Sequence, residues 1–350
     1  MKGTVVERAT PLSRGFWLVA TLLILVLAAA PWWLGRGELR LIAEFAYLIA
    51  LAQMWNLLAG YGGMISIGQH AYVGIGAYAL LILSLHAGVH PFLAVPVAGL
   101  VAAVMAAPLS RLVFVLKGPY FAIGTWVVAD VLRLVMANVP ALGGGSGESL
   151  TSVIVGVPAW EREAVIYWMA LAAGVGLTMG MYLFLTFRHG LALTAIRDSE
   201  AASASLGVEV DRVKLLVYVA SAAGLGLVGA LIYLIKLRIS PDAAFSIEWT
   251  VLMIFIVTIG GIGTIEGPIV GTAVYFLLRY LLADFGTWYL VVLGAVAVVV
   301  MLKAPKGIWG WVAHRYDLHL FPTRRRMRLG AKAKAAAAPA LDTVANGVGE

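Results

Sequence analysis

The sequence predicts an all-α polytopic membrane protein of about ten transmembrane helices, with discontinuous Gly-rich segments, a folded helical element on the cytoplasmic side and both termini cytoplasmic. Three observations carry this reading. Of 350 residues, 62% are hydrophobic and 12% charged, with a mean hydropathy of +0.94, whereas soluble domains lie near ~45–50% and ~25%. Several apolar runs approach the ~20 residues that a helix needs to span the hydrocarbon core. The runs are continuous rather than alternating, which excludes a barrel and leaves helices.

The elements follow in chain order. Residues 1–15 carry Lys2, Arg8 and Arg14 and read as a cytoplasmic N-terminus. The run 16–34 lacks a clean small-residue cleavage site and reads as a retained first helix rather than a signal peptide. Spans are then expected at 41–59, 71–87, 92–110, 119–137, 164–187, 214–236, 249–260, 268–283 and 287–303. Positive residues favour the cytoplasmic side. Placing Arg111, Lys117, Arg188, Arg197, Arg212, Lys303 and Lys306 inside puts both termini and the polar island 188–213 inside. The outside loop 139–163 sets Arg162 against Glu148, Glu161 and Glu163; the loop 35–40, with Arg36 and Arg40, is the one contrary segment. Residues 304–350 read as a basic, disordered cytoplasmic tail held near anionic lipid. The net charge of +7 comes largely from that tail and does not imply nucleic acid. There are no cysteines, which excludes disulfides and thiol chemistry.

Two Gly-rich segments interrupt the apolar pattern and resemble each other, Gly62-Gly-Met-Ile-Ser-Ile-Gly68 and Gly260-Gly-Ile-Gly-Thr-Ile-Glu-Gly267. Paired breaks in two halves of a transporter point to discontinuous helices lining a path. Gly60, Gly63, Ser66, Gly68, Tyr72, Gly260, Gly261, Gly263 and Thr264 are therefore candidates for the translocation path. The competing reading is that glycine simply permits close helix packing. Ionisable residues within or beside the spans are few: Glu44, Asp130, Arg133, Lys236, Arg238, Glu248, Glu266 and Arg279. Asp130 and Arg133, three apart, can face each other on one helix, as a structural lock or as a functional pair. Lys236, Arg238 and Glu248 read as outer-surface residues, and His70, His86 and His90 as ordinary interfacial histidines without metal-ligand spacing.

Catalytic and nucleotide motifs are not found. Gly143-Gly-Gly-Ser-Gly-Glu-Ser149 lacks the Lys-Ser/Thr ending that grips phosphate. Gly224-Leu-Gly-Leu-Val-Gly229 lies within a span and reads as a packing face. No Ser/His/Asp set or carboxylate pair is placed for catalysis, so an ATP-driven process would need a separate ATPase subunit.

The island itself is richer than a turn requires. Helix is expected from about 194 or 198 to 206, capped by Asp198 or Ser199 and ended by Gly207. Its small Ala and Ser residues leave a low-relief surface that a groove on a soluble partner can hold. Glu200-Ala-Ala202 with Gly207 resembles the Glu-Ala-Ala loop of permeases of ATP-binding-cassette importers, although the spacing to Gly207 is one residue longer and the later Leu-Pro is absent.

The remaining segments extend the resemblance: Asn56-Leu-Leu-Ala-Gly-Tyr-Gly-Gly63 through Gly74-Ile-Gly-Ala-Tyr78, Lys117-Gly-Pro-Tyr-Phe-Ala-Ile-Gly124 through Asp130-Val-Leu-Arg-Leu134, Thr194-Ala-Ile-Arg-Asp-Ser-Glu-Ala-Ala202 through Leu206-Gly-Val208, Gly260-Gly-Ile-Gly-Thr264 with Gly267-Pro268, and Ala304-Pro-Lys-Gly-Ile-Trp309. On these the chain resembles the LivM-type permease subunits of branched-chain amino-acid importers from about residue 40 to 310. The resemblance implies a sister LivH-type permease, two cytoplasmic ATPases of the LivG/LivF type that bind ATP and magnesium, a periplasmic binding protein, and location in a bacterial inner membrane. It implies no cofactor, metal or catalytic residue in this chain. Arg197, Asp198, Glu200, Ala201, Ala202, Leu206 and Gly207 would form the ATPase-coupling element, a helix over 194–207. Met64, Gln69 and Tyr72 stand where relatives often carry Gln, His and Phe. The outside loop also departs, reading Leu142-Gly-Gly-Gly-Ser-Gly-Glu148. These departures bear on the substrate: relatives of this scaffold are associated with branched-chain and other amino acids, urea and short amides.

Two other classes make different predictions. A secondary transporter would work alone and would rely on core charges such as Asp130, Glu44 or Glu266. A membrane enzyme would need a polar catalytic cluster at one interface.

Overall fold

The computed structural model describes residues 4–7, 11–282, 288–304, 306–316, 320–322 and 326–329. The apolar runs form helices: α1 (Pro11–Ala28), α2 (Arg36–Asn56), α3 (His70–Leu81), α4 (Pro91–Val113), α5 (Pro119–Ala137), α6 (Ala159–Thr186), α9 (Val210–Lys236), α11 (Glu248–Gly260), α12 (Glu266–Leu281) and α13 (Trp288–Lys303). The island forms α7 (Arg188–Asp198) and α8 (Glu200–Ser205); α10 (Pro241–Ala244) and α14 (Gly307–Tyr316) complete the set. Strands among the described residues are short, β1 (Thr4–Glu7) with β4 (Arg326–Leu329) and β2 (Glu148–Ser149) with β3 (Arg238–Ile239), both pairs antiparallel.

The chain divides into two units, residues 1–25 with 319–350 and residues 26–318. In the first, the β1–β4 ladder is accompanied by Phe16, Trp17 and Phe321, whose rings meet edge-on at 5.2–6.1 Å. Most of the basic tail lies outside the described residues. In the second unit α9 is central, with α4, α3, α2 and α6 packed along it, while α11 and α12 form a hairpin against α2. Lipid tails give apolar helices no reason to associate, so close backbone approach has to supply the packing. Gly76 and Gly226 abut, and a Cβ on Gly229 would come within 2.7 Å of the Cα of Val73. The Gly224–Gly229 run is thus a packing face, as expected.

Eight helical segments among the described residues are long and apolar enough to cross a membrane. The two missing from the expected ten have a physical reason. The third expected span is short and irregular: α3 runs into a π turn at Ile82–His86, a 17-residue length of roughly 25 Å against a core of ~30 Å. The ninth, α12, has 16 residues. The expected span 119–137 coincides with α5. At the C-terminal end, α14 continues beyond Lys303 and packs on α11 and α12.

Three further expectations are refined. The contrary Arg36 and Arg40 share one carboxylate partner, Glu163, at 3.3 and 2.9 Å. His70 is buried in the protein rather than solvent-facing, and its Nδ1 lies 3.0 Å from Thr250 Oγ1 and 3.1 Å from the Ile67 carbonyl. The helix expected over 194–207 is not continuous. It breaks at Ser199 (φ −161°, ψ 110°), whose Oγ accepts a hydrogen bond from the Ala202 amide and caps α8. A capping serine competes with helix continuation, so the Ala-rich run becomes an elbow.

Candidate functional site

The two Gly-rich breaks meet. The first begins where α2 loosens into a π turn, Leu57–Tyr61, and runs irregularly to α3. The second separates α11 from α12. Left-handed backbone at Gly63 (φ +69°) and Gly263 (φ +74°) suits glycine, which lacks the Cβ that makes this region costly. Gly60 packs directly on Gly263; a Cβ there would overlap Asn56 Oδ1 and come 2.6 Å from the Gly263 nitrogen.

Two amides of α2 join the breaks. Asn56 Nδ2 donates to the Thr264 carbonyl at 2.8 Å, and its Oδ1 accepts from the Gly263 amide at 2.8 Å. Gln53 Nε2 donates to the Ile265 carbonyl at 2.7 Å. Both side chains are wholly buried. Within the second break, Thr264 Oγ1 donates to the Gly261 carbonyl at 2.7 Å and accepts from the Gly267 amide at 3.0 Å. Backbone freed from helix by a break needs such partners when water is excluded. Gly260 packs on α12, where its Cβ would stand 2.9 Å from the Gly271 nitrogen. Gly261 and Gly307 abut, tying α14 to the same break.

The elbow reaches this junction through Arg197. Its Nη1 donates to the Gly60 carbonyl at 3.1 Å, and its Cγ would lie 3.0 Å from a Cβ on Gly63. Nε and Nη2 hold Asp198 at 3.1 and 3.0 Å. Leu193 and Ile196 of α7 are buried and anchor the elbow; Leu193 lies against Gly62. The other expected coupling residues face outward: Asp198, Glu200, Ala201, Ala202 and Gly207 are exposed, and Leu206 is 83% exposed. Glu200 is braced by Lys214 of α9. Gly207 ends the element at φ +84°.

Most of the rest of the first break is enclosed, with Ile65 exposed. Trp55 Nε1 donates to the Ser66 carbonyl at 2.9 Å, and the Gly68 amide donates to Thr125 Oγ1 at 3.2 Å. Gly68 has no room for a Cβ against the Thr125 backbone. Tyr72 lies in the core, edge-on to Tyr218 of α9 at 5.7 Å. Asp130 and Arg133 do pair, at 2.8 Å, and Arg133 also holds Asp242 of α10 at 2.7 Å, so the pair is a triad.

Sequence reasoning missed Gln53 and Asn56 as site residues. Their signal was present: two amides three apart, on one face of the otherwise apolar C-terminal half of α2. It also named Glu44 and Arg279 without pairing them. They form a bidentate ion pair between α2 and α12, at 2.6 and 2.9 Å. Among the described residues no group of three His, Cys, Asp or Glu side chains is placed to hold a metal.

Residues 38–301 match the family described as branched-chain amino acid transport system / permease component. The chain is 26% identical over 312 residues to the high-affinity branched-chain amino acid transport system permease protein LivM of Salmonella typhimurium, covering 82% of this chain and 73% of that protein. It is 27% identical to LivM of Escherichia coli, covering 81% and 73%. It is 24% identical over 265 residues to a probable LivH permease of Methanocaldococcus jannaschii, covering 69% of this chain and 82% of that one. No solved structure matches the chain significantly.

Proposed function

The chain belongs to the permease-component family of branched-chain amino acid transport systems, and from that premise we propose that it forms half of a translocation path through which branched-chain amino acids are imported. The second half is a sister permease of the LivH type. A periplasmic binding protein delivers the substrate, and two cytoplasmic ATPases, which carry the ATP and magnesium, drive the cycle from the inner face of a bacterial inner membrane.

One observation supports this reading above the others: the Arg197–Gly60 hydrogen bond, which connects an outward-facing polar elbow to the junction of two broken helices. A chain that only crossed the bilayer would need no such connection. An elbow pushed by a soluble partner requires one, because force applied at Leu206 and α8 has to reach the spans. The buried anchors Leu193 and Ile196 make α7 a lever rather than a tether. ATPase closure would displace the elbow, and Arg197 would carry the displacement to Gly60 and, through Asn56, to Gly263 and α11–α12. The family match and the outward face of the elbow favour this over a secondary transporter, which needs no docking element.

The test is reconstitution. The complete complex, with binding protein, should take up radiolabelled leucine into proteoliposomes only with ATP. Uptake by this chain alone, or none by a complete complex that hydrolyses ATP, would overturn the reading.

A further inference from the structure

Gln69 stands at the end of the first break, immediately before α3, and is wholly buried. Among the described residues it is the one side chain whose two amide atoms, Nε2 and Oε1, both lack a hydrogen-bond partner; the buried Ser66 hydroxyl of the same break also lacks one. A buried amide with neither its donor nor its acceptor satisfied is costly, and native proteins rarely keep one without an occupant or a use. Apart from that hydroxyl, the polar groups around Gln69 are satisfied. His70 is held by Thr250, the Gly68 amide by Thr125, and the Ser66 carbonyl by Trp55.

We infer that Ser66 and Gln69 form a site for the zwitterionic head group of an amino acid, a deepening that rests on the transport reading above. Gln69 Nε2 and the Ser66 hydroxyl donate to the carboxylate, and Gln69 Oε1 accepts from the ammonium. The position suits the carboxylate, because the N-terminal end of a helix carries partial positive charge and α3 starts at His70. The site lies in the same break whose Gly60 and Gly63 meet Arg197, at its α3 end, where His70 is held by Thr250 in the first turn of α11. Entry needs only a local opening, since Gly63 and Ile65 are exposed and the intervening chain is not helical. A neutral amide and hydroxyl also suit a site that must empty: when the substrate leaves, no bare charge remains buried, as it would with an Arg–Asp pair.

The experiment uses the complete complex in proteoliposomes, with L-leucine as the probe and binding protein at saturation. Gln69→Leu should lower the initial uptake rate about tenfold or more, while assembly and basal ATP hydrolysis stay within about twofold of the parent. Ser66→Ala removes a single oxygen, so it stays informative if Gln69→Leu fails to assemble; it should lower uptake about threefold to fivefold. A purely structural amide predicts the opposite pattern, because replacing an unpartnered buried amide with hydrocarbon raises thermal stability and leaves uptake unchanged. That pattern, or parental uptake with Ser66→Ala when Gln69→Leu does not assemble, would overturn the inference and leave the transport reading intact. A parental complex that hydrolyses ATP but takes up no leucine would remove both.

Discussion

Arg197→Met is the perturbation that tests the lever most sharply. It keeps an unbranched side chain of similar length and removes the donor to the Gly60 carbonyl, a 3.1 Å bond. Hydrogen bonds from charged groups contribute about 1.5–3 kcal/mol. The Arg197 side chain is one-third exposed, which places this one at the lower end. At about 1.4 kcal/mol per factor of ten, the link between elbow and junction weakens by roughly tenfold. Loss of the Asp198 pair adds little, because that carboxylate is 68% exposed and surface pairs contribute at most about 1 kcal/mol. The assay is leucine transported per ATP hydrolysed by the reconstituted complex. The ratio should fall about tenfold while ATPase co-purification is unchanged, since Ala201, Ala202 and Leu206 are untouched. Arg197→Lys, which keeps one charged donor, should fall in between. A parental ratio in Arg197→Met would refute the lever.

Other outcomes follow from the same contacts. Gly60→Ala forces a methyl group into Asn56 and the Gly263 nitrogen; overpacking of this kind costs about 1–3 kcal/mol, read as a lower melting temperature in detergent together with lost uptake. Asn56→Leu removes both bonds to the second break and leaves the Gly263 amide and Thr264 carbonyl unpaired; at about 1–3 kcal/mol for each stranded group, it should destabilise the chain more than Gln53→Leu, which strands one carbonyl. Glu44→Gln breaks the bidentate pair with Arg279 and should cost about 2 kcal/mol, below the ~3–5 kcal/mol of fully buried pairs because both side chains keep about a third of their exposure; the exchanged double variant Glu44→Arg with Arg279→Glu should recover part of the loss in the same thermal assay. Leu206→Asp should leave this chain's melting temperature unchanged and reduce the ATPase recovered with it.

Much of this was legible in the sequence, and the limits have identifiable causes. Continuous hydropathy located α5 to the residue and α9 to within a turn, because spans are set by composition over a fixed bilayer thickness. Glycine marked both breaks, since left-handed turns and backbone contact leave few alternatives to it. The joining of the breaks was not legible: Asn56 and Thr264 are 208 residues apart, and nothing local in either predicts the other. Part of the elbow was legible, because Ser199 is one of the two expected caps and it does start α8. The helix before it, which begins at Arg188 and makes the bend, was not expected. Arg197 was read as part of the docking face, and its turn inward to Gly60 depends on how α7 is anchored by Leu193 and Ile196. Arg36 and Arg40 still run against the charge rule, which counts Lys and Arg alone; what was not legible is their shared partner Glu163, 123 residues beyond Arg40.

The central claim is that the elbow is the docking point for a cytoplasmic ATPase, and one measurement addresses it directly. The chain contains no cysteine, so Leu206→Cys introduces a single thiol at the most exposed large apolar side chain among the described residues. Labelled there with a benzophenone maleimide and irradiated in native membranes, the chain should cross-link to an ATPase subunit, with a yield that changes when ATP is added. Adducts with lipid alone, or with the ATPase absent from complexes that still transport leucine, would contradict the account.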